Sequence, residues 1–280
     1  MREVKEDDRS ERFSGIQVGN EEIEDLRYAD DTALMSNTTD GLRNLIDTVK
    51  EKSEGRGLKL NVKKTKIMDI KRSQNISNVY VDGQKVENVS SFEYLGALID
   101  NDGDGSKEVK RRLAMAVKKL NDMEHLWSST SKDMKLRVLN TCIFPTAYYG
   151  SEAWVFTQNI CQRIDAFEMK CYRKILNVSW REHRTNISVA KELGIKMGSL
   201  LSRIKTQKLK YFGHITRHES LEKSILECNV NGKRKAGRPR RRWEDDITDW
   251  LGIGLHQARR LAQDRKRFRA AVGAATSLPG

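Results

Sequence analysis

A chain of 280 residues allows one large domain or two modest ones, and 38% hydrophobic with 7% aromatic residues supports a lean core. No apolar run reaches the length of a membrane span, and four cysteines (Cys142, Cys161, Cys171 and Cys228) without a Cys-x-x-Cys pair or a secretory signal exclude a disulfide scaffold. They fit a reducing, intracellular compartment, nuclear and/or cytoplasmic, and a net charge of +13 points to a polyanionic partner.

The charge is unevenly placed. Residues 1–31 carry five Lys/Arg against eleven Asp/Glu, and residues 201–242 carry thirteen against three. The first fourteen residues read as a charged, disordered tail. A strand around Gly15 to Val18 leads into the stretch Arg27-Tyr28-Ala29-Asp30-Asp31-Thr32-Ala33-Leu34-Met35. Leu26 and Tyr28 share one parity before the two carboxylates, and Ala33 and Met35 share one after them. That pattern predicts a tight β-hairpin with Asp30 and Asp31 at its tip. Two like charges 4 Å apart repel by about 1 kcal/mol in water, so a divalent cation there offsets a real cost. Mg²⁺ typically takes one or two carboxylates together with phosphate oxygens. A polar turn is the competing reading, since Asp is common in turns.

Asn37-Thr38-Thr39-Asp40 offers N-caps for a helix with Leu42, Leu45, Ile46 and Val49 on one face, stopped by Gly55 and Gly57. Leu58-Lys59-Leu60 alternates as a strand, Asn61 to Lys66 makes a polar corner, and Ile67, Met68 and Ile70 resume a strand. Asp82-Gly83 between two alternating runs predicts a hairpin with a type I′ turn. Ser91 to Gly96 reads as one more short strand, with Phe92 and Tyr94 on one face. Hairpin, helix, strand, hairpin and strand make an α+β layer, mainly antiparallel with a helix on one face.

The rest reads as helices. Residues 107–126 place Val109, Leu113, Ala116, Leu120 and Met123 inward, with Lys107, Lys110, Arg111, Arg112, Lys118 and Lys119 outside. Lying along a nucleic-acid backbone and being a solvated face are both open readings of that basic surface. Ser131 caps a helix ending near Pro145. Ile160, Ile164, Phe167, Cys171 and Ile175 mark the clearest helix, with Cys161 and Cys171 as core thiols. Ile187, Ala190 and Leu193 form a short helix closed by Gly194. Leu201, Ile204, Leu209 and Phe212 form a longer one with Arg203, Lys205, Lys208 and Lys210 outside. His214, His218 and Cys228 lack a fourth ligand at workable spacing for zinc. Helices over Trp243–Leu251 and Leu255–Val272 close the chain, the second with Leu255, Ala258, Leu261, Ala262 and Val272 inward.

Before those last helices, seven of residues 233–242 are basic: Lys233, Arg234, Lys235, Arg238, Arg240, Arg241 and Arg242. Gly237 and Pro239 argue against a helix. Gly-Arg-Pro-Arg resembles the core of an AT-hook but lacks the arginine before the glycine, which favours general phosphate binding over minor-groove reading. The same run reads as a nuclear-import signal.

Tyr28-Ala29-Asp30-Asp31 resembles the Tyr-x-Asp-Asp box of reverse transcriptases. At family-like spacing follow Gly57-Leu58-Lys59-Leu60-Asn61 with Lys64-Thr65-Lys66, similar to the family's Gly-Leu…Asn-x-x-Lys-Thr corner. Phe92-Glu93-Tyr94-Leu95-Gly96 then resembles the primer grip of non-LTR (LINE-type) retrotransposons. Residues 237–247, Gly-Arg-Pro-Arg-Arg-Arg-Trp-Glu-Asp-Asp-Ile, resemble the tail of those elements' polymerase proteins. The resemblance implies RNA-templated DNA synthesis with Mg²⁺, and RNA and DNA as partners. Asp30 and Asp31 belong by it to the metal-binding set, Lys64 faces the incoming nucleotide's phosphates, and Phe92, Tyr94, Leu95 and Gly96 hold the primer end. The expected organisation is a partial palm over 15–100, thumb-like helices over 101–150, a helical region over 151–231, and a basic linker with C-terminal helices over 232–280. The family's upstream palm motif supplies another metal-binding Asp, and it does not fit within residues 1–27. The expectation is therefore a truncated polymerase that binds nucleic acid and does not polymerise alone. A repurposed, non-catalytic DNA/RNA-binding protein using the basic C-terminal block is the alternative.

Overall fold

The computed structural model describes residues 15–19, 21–70, 78–227 and 240–277. The predicted N-terminal tail, Cys228 and residues 233–238 of the basic run lie outside these. The chain divides into two units, Met1–Asp104 with Leu221–Arg234, and Gly105–Ser220 with Lys235–Gly280.

The first unit is built from short paired strands and helices. β1 (Ile16–Val18) pairs antiparallel with β2 (Glu21–Ile23), a hairpin that sequence pattern did not predict because β2 is two-thirds acidic. β3 (Asp25–Tyr28) and β4 (Asp31–Leu34) form the predicted Asp-Asp hairpin. Helix α1 (Thr39–Glu54) starts where Thr38 Oγ1 accepts from the Gly41 N–H at 3.1 Å, and it ends at Gly55 as read. The predicted strand over Leu58-Lys59-Leu60 does not form. Gly57 adopts φ +77°, and the Leu58 N–H turns back to the Ser53 carbonyl at 2.9 Å, so helix termination consumes the segment.

Asn61 to Thr65 form the expected corner, closed by Thr65 N–H and Oγ1 on the Asn61 carbonyl, each 2.9 Å. β5 (Lys66–Ile67) pairs with β8 (Glu87–Asn88) in parallel, the one parallel ladder among the described residues. β6 (Tyr80–Val81) and β7 (Gln84–Lys85) meet at Asp82-Gly83, whose φ values of +51° and +70° fit the type I′ turn. β9 (Ser91–Tyr94) pairs with β10 (Ala97–Asp100). Leu95-Gly96 is therefore the turn of a further hairpin rather than strand, with φ +48° and +79°. Ile46, Ile67, Val79, Val81 and Val86 are the buried core here, with Leu34, Leu42, Leu60 and Val62 packed against it.

The second unit is helical. The predicted helix over 107–126 divides into α2 (Ser106–Asp122) and α3 (Glu124–Ser129) at Met123, where ψ is +21°. α4 (Lys132–Val138) is capped by Ser131 as read, but the helix does not stop at Pro145. Leu139–Ile143 form a π-helical turn, and Pro145 sits in the first turn of α5 (Phe144–Ala147), where a missing N–H costs little. α6 (Gln158–Ile175) buries Ile160, Ile164, Phe167, Cys171 and Ile175, the stripe its spacing predicted. Cys171 is fully buried and its thiol is pushed up to about 12, chiefly by burial. α7 (Asn186–Leu193) ends at Gly194 with φ +64°. Ile187 points to solvent at 71% exposure, and Val189 takes the inward place.

α8 (Ser199–Arg217) begins without a cap of its own. Glu168 of α6 reaches its first turn, accepting from Leu200 N–H at 3.0 Å, Ser199 Oγ and the Tyr172 hydroxyl. α9 (Leu221–Glu227) belongs to the first unit. The C-terminal part holds three helices, α10 (Trp243–Leu251), α11 (Leu255–Gln263) and α12 (Arg265–Ala275). The break at Asp264 arises because its carboxylate caps Lys266 and Arg267 N–H at 2.9 and 3.1 Å. No helix among the described residues is long and apolar enough to cross a membrane.

Candidate functional site

The Asp-Asp hairpin is set by local pairing. Arg27 faces Thr32 and Tyr28 faces Asp31 across the ladder, so Asp31 shares a sheet face with Tyr28, Leu26 and Ala33. The loop is Ala29-Asp30 alone, and Ala29 carries φ +52°, a left-handed conformation that costs a residue with a Cβ roughly 1–2 kcal/mol. Leu34 at the inner end packs on the core, and Met35 N–H extends the pairing to the Glu24 carbonyl at 2.7 Å. The tip itself is in solvent, with Tyr28 66% exposed and both Asp30 and Asp31 exposed. Neither carboxylate takes a side-chain hydrogen bond or an ion pair among the described residues. Arg27, the nearest cation in sequence, pairs with Asp25 at 2.7 Å.

Tyr94 reaches this hairpin, its hydroxyl lying 3.4 Å from the Leu26 carbonyl. Phe92 and its partner Ile99 are 37% and 43% exposed, and Leu95 at the turn is 39% exposed. Lys64 lies exposed in the Asn61 corner, its N–H held by that turn and its ammonium without an ion pair among the described residues. The two carboxylates give a divalent ion two adjacent donors. Among the described residues no three His, Cys, Asp or Glu side chains come together, so this donor set does not fit a complete two-metal clamp.

The basic residues divide by what holds them. Lys110 and Lys118 are exposed on α2. Arg111 pairs with Glu108 at 2.7 Å, and Arg112, placed outside by its spacing, is buried on the same carboxylate and stacks over Tyr149 at 4.4 Å. Arg240, Arg241 and Arg242 are all exposed, and Arg241 bonds Asp246 and Asp249 at 2.8 and 2.7 Å. Lys233, Arg234, Lys235 and Arg238 lie outside the described residues.

Lys208 was expected on the outer face of α8 and is instead wholly buried. Its ammonium donates to Asp246 Oδ2 at 2.5 Å and to the Trp154 carbonyl at 2.7 Å, 4.6 Å from the Trp243 ring centroid. Asp246 also accepts from Phe156 N–H and Arg241 Nε, both at 2.9 Å. Burial lowers the Lys208 ammonium to about 8 against the opposing pull of Asp246. The signal was present in the sequence, since Ile204, Lys208 and Phe212 recur every four residues along one stripe.

Residues 9–99 match the family model of reverse transcriptase (RNA-dependent DNA polymerase). Along nearly its whole length the chain is also similar to a transposon-derived protein of Caenorhabditis elegans, 25% identical over 277 residues that cover 92% of this chain and 98% of the relative. The first third of the chain is thus similar to reverse transcriptases, and the chain along most of its length to a transposon-derived protein.

Proposed function

We propose that this protein is the reverse transcriptase of a LINE-type element in a form that binds RNA or DNA and does not polymerise by itself. The observation that carries this reading is the exposed Asp30–Asp31 turn, which presents two metal donors and no third among the described residues. The Tyr94 contact to the same hairpin supports placing the primer-grip residues beside it. Lys64, on its exposed corner, is the family-like candidate for contact with nucleotide phosphate. Exposed Lys110, Lys118, Arg240 and Arg242 supply cations for a strand. Purified chain with primed RNA template, deoxynucleotides and Mg²⁺ is expected to give no extension while retaining salt-dependent binding. Extension that Asp30→Asn abolishes would overturn the inactive reading, and salt-independent affinity would overturn the binding one.

A further inference from the structure

α8 and α12 enclose a groove of about 510 Å³ whose walls are unusually cationic. Lys210, His214 and Arg217 line it from α8 at helical spacings of four and three, and Arg265 and Arg269 line it from α12 four apart. Its floor is Phe268, Val272 and Gly273, and no carboxylate among the described residues lines it. Lys210, Arg265 and Arg269 are exposed and form no ion pair among the described residues. The nearby Asp264 is occupied with capping α12 and with Arg267. Arg217 is anchored, its Nη1 donating to the Ala262 carbonyl at 2.7 Å, while its Nε is buried without a hydrogen-bond partner among the described residues. Burial and the neighbouring Arg265 both push this guanidinium below its ordinary value. A close approach fixes the geometry: a Cβ on Gly213 would lie 2.5 Å from Phe268 Cε1 and 3.0 Å from Arg217 Nη1. The groove therefore gathers like charges that repel one another and that no carboxylate among the described residues neutralises.

We propose that this groove is a phosphate-binding site for a single-stranded nucleic-acid backbone, separate from both the Asp-Asp hairpin and the basic run before α10. Cationic side chains about one helical turn apart on both rims suit successive phosphates, and the apolar floor suits the sugars and bases between them. The inference rests on the reading that nucleic acid is the partner.

The test is a salt titration of oligonucleotide binding by the full chain and by Lys210→Ala/Arg265→Ala/Arg269→Ala. Loss of three phosphate contacts at about 0.7 counterions each makes the slope of log affinity on log salt shallower by about 2, and lowers affinity on the order of a hundredfold at 0.1 M salt. Arg265→Lys/Arg269→Lys, which keeps the charge, is expected to bind within about threefold of the parent. Its failure to the depth of the triple variant would overturn the phosphate site in favour of a structural role. An unchanged slope in the triple variant overturns the groove and leaves the nucleic-acid reading standing. So does a deoxynucleoside triphosphate that binds the parent but not the triple variant while their oligonucleotide affinities stay equal. A parent chain that binds no oligonucleotide overturns both.

Discussion

Lys208 and Asp246 are both removed entirely from water, and the effective penalty for such burial is several kcal/mol per ion. The site tolerates that penalty because Asp246 accepts from Lys208, Phe156 N–H and Arg241, while Lys208 also reaches a backbone carbonyl and three aromatic rings. Lys208→Met leaves Asp246 buried with fewer partners and is expected to lower stability by about 3–5 kcal/mol in urea unfolding. The double variant Lys208→Met/Asp246→Leu should lose less than the two single losses combined. The same lysine makes stability depend on pH. The folded chain releases its proton near 8 and the unfolded chain near 10.5. Between those values the unfolded state binds more protons, so stability rises with pH. Burial thus imposes a full penalty below pH 8, and the penalty is relieved by about pH 10.5. Relative to Lys208→Met, the parent should gain up to about 3 kcal/mol across that window, and a flat difference would refute the assignment.

At the scale of elements, what was legible in the sequence is what local chemistry decides. α1 and α6 carry a cap and an uninterrupted stripe, and Asp82-Gly83 demands its turn, so each follows from a few neighbouring residues. The Asp30–Asp31 hairpin is legible for the same reason. β2 was hidden by its glutamates. The continuation through Pro145 runs by way of a π-turn, beside which Thr146 Oγ1 donates to the Cys142 carbonyl of that turn and Thr141 Oγ1 to the Arg137 carbonyl of α4, at 3.0 and 2.9 Å. The spacing of Ile204, Lys208 and Phe212 puts Lys208 on the inner stripe, but its partners there and the α8–α12 groove join residues far apart in the chain, which periodicity does not register. Gly213 is the clearest such case, since only the packed partner shows why the position must be small. Gly213→Ala should cost about 1–3 kcal/mol through overpacking against Phe268. Phe268→Leu in that background should recover part of the loss, which a double-mutant cycle would detect.

At the scale of the molecule, the two units differ in how much apolar surface each removes from water. The first unit has six buried apolar side chains among the described residues, Leu45 and the five of its core cluster, and its ladders are two to four residues long. The larger cluster of the second unit has twenty-one, including Trp127, Phe144, Trp154, Phe156 and Phe167. Each buried large apolar side chain is worth about 1.5–3 kcal/mol, so the helical unit holds a much larger store of stabilisation. Short hairpins with an exposed tip open locally at little cost. Native-state amide exchange should therefore separate the units. Amides of β3, β4, β9 and β10, which carry the candidate polymerase residues, are expected to exchange through openings of only a few kcal/mol. Those at Ile164, Cys171, Ile204 and Leu209 should exchange near the global limit of the helical unit. Slow exchange throughout β3 and β4 in the purified chain would mean that the Asp-Asp hairpin is held by more than the contacts of its own strands.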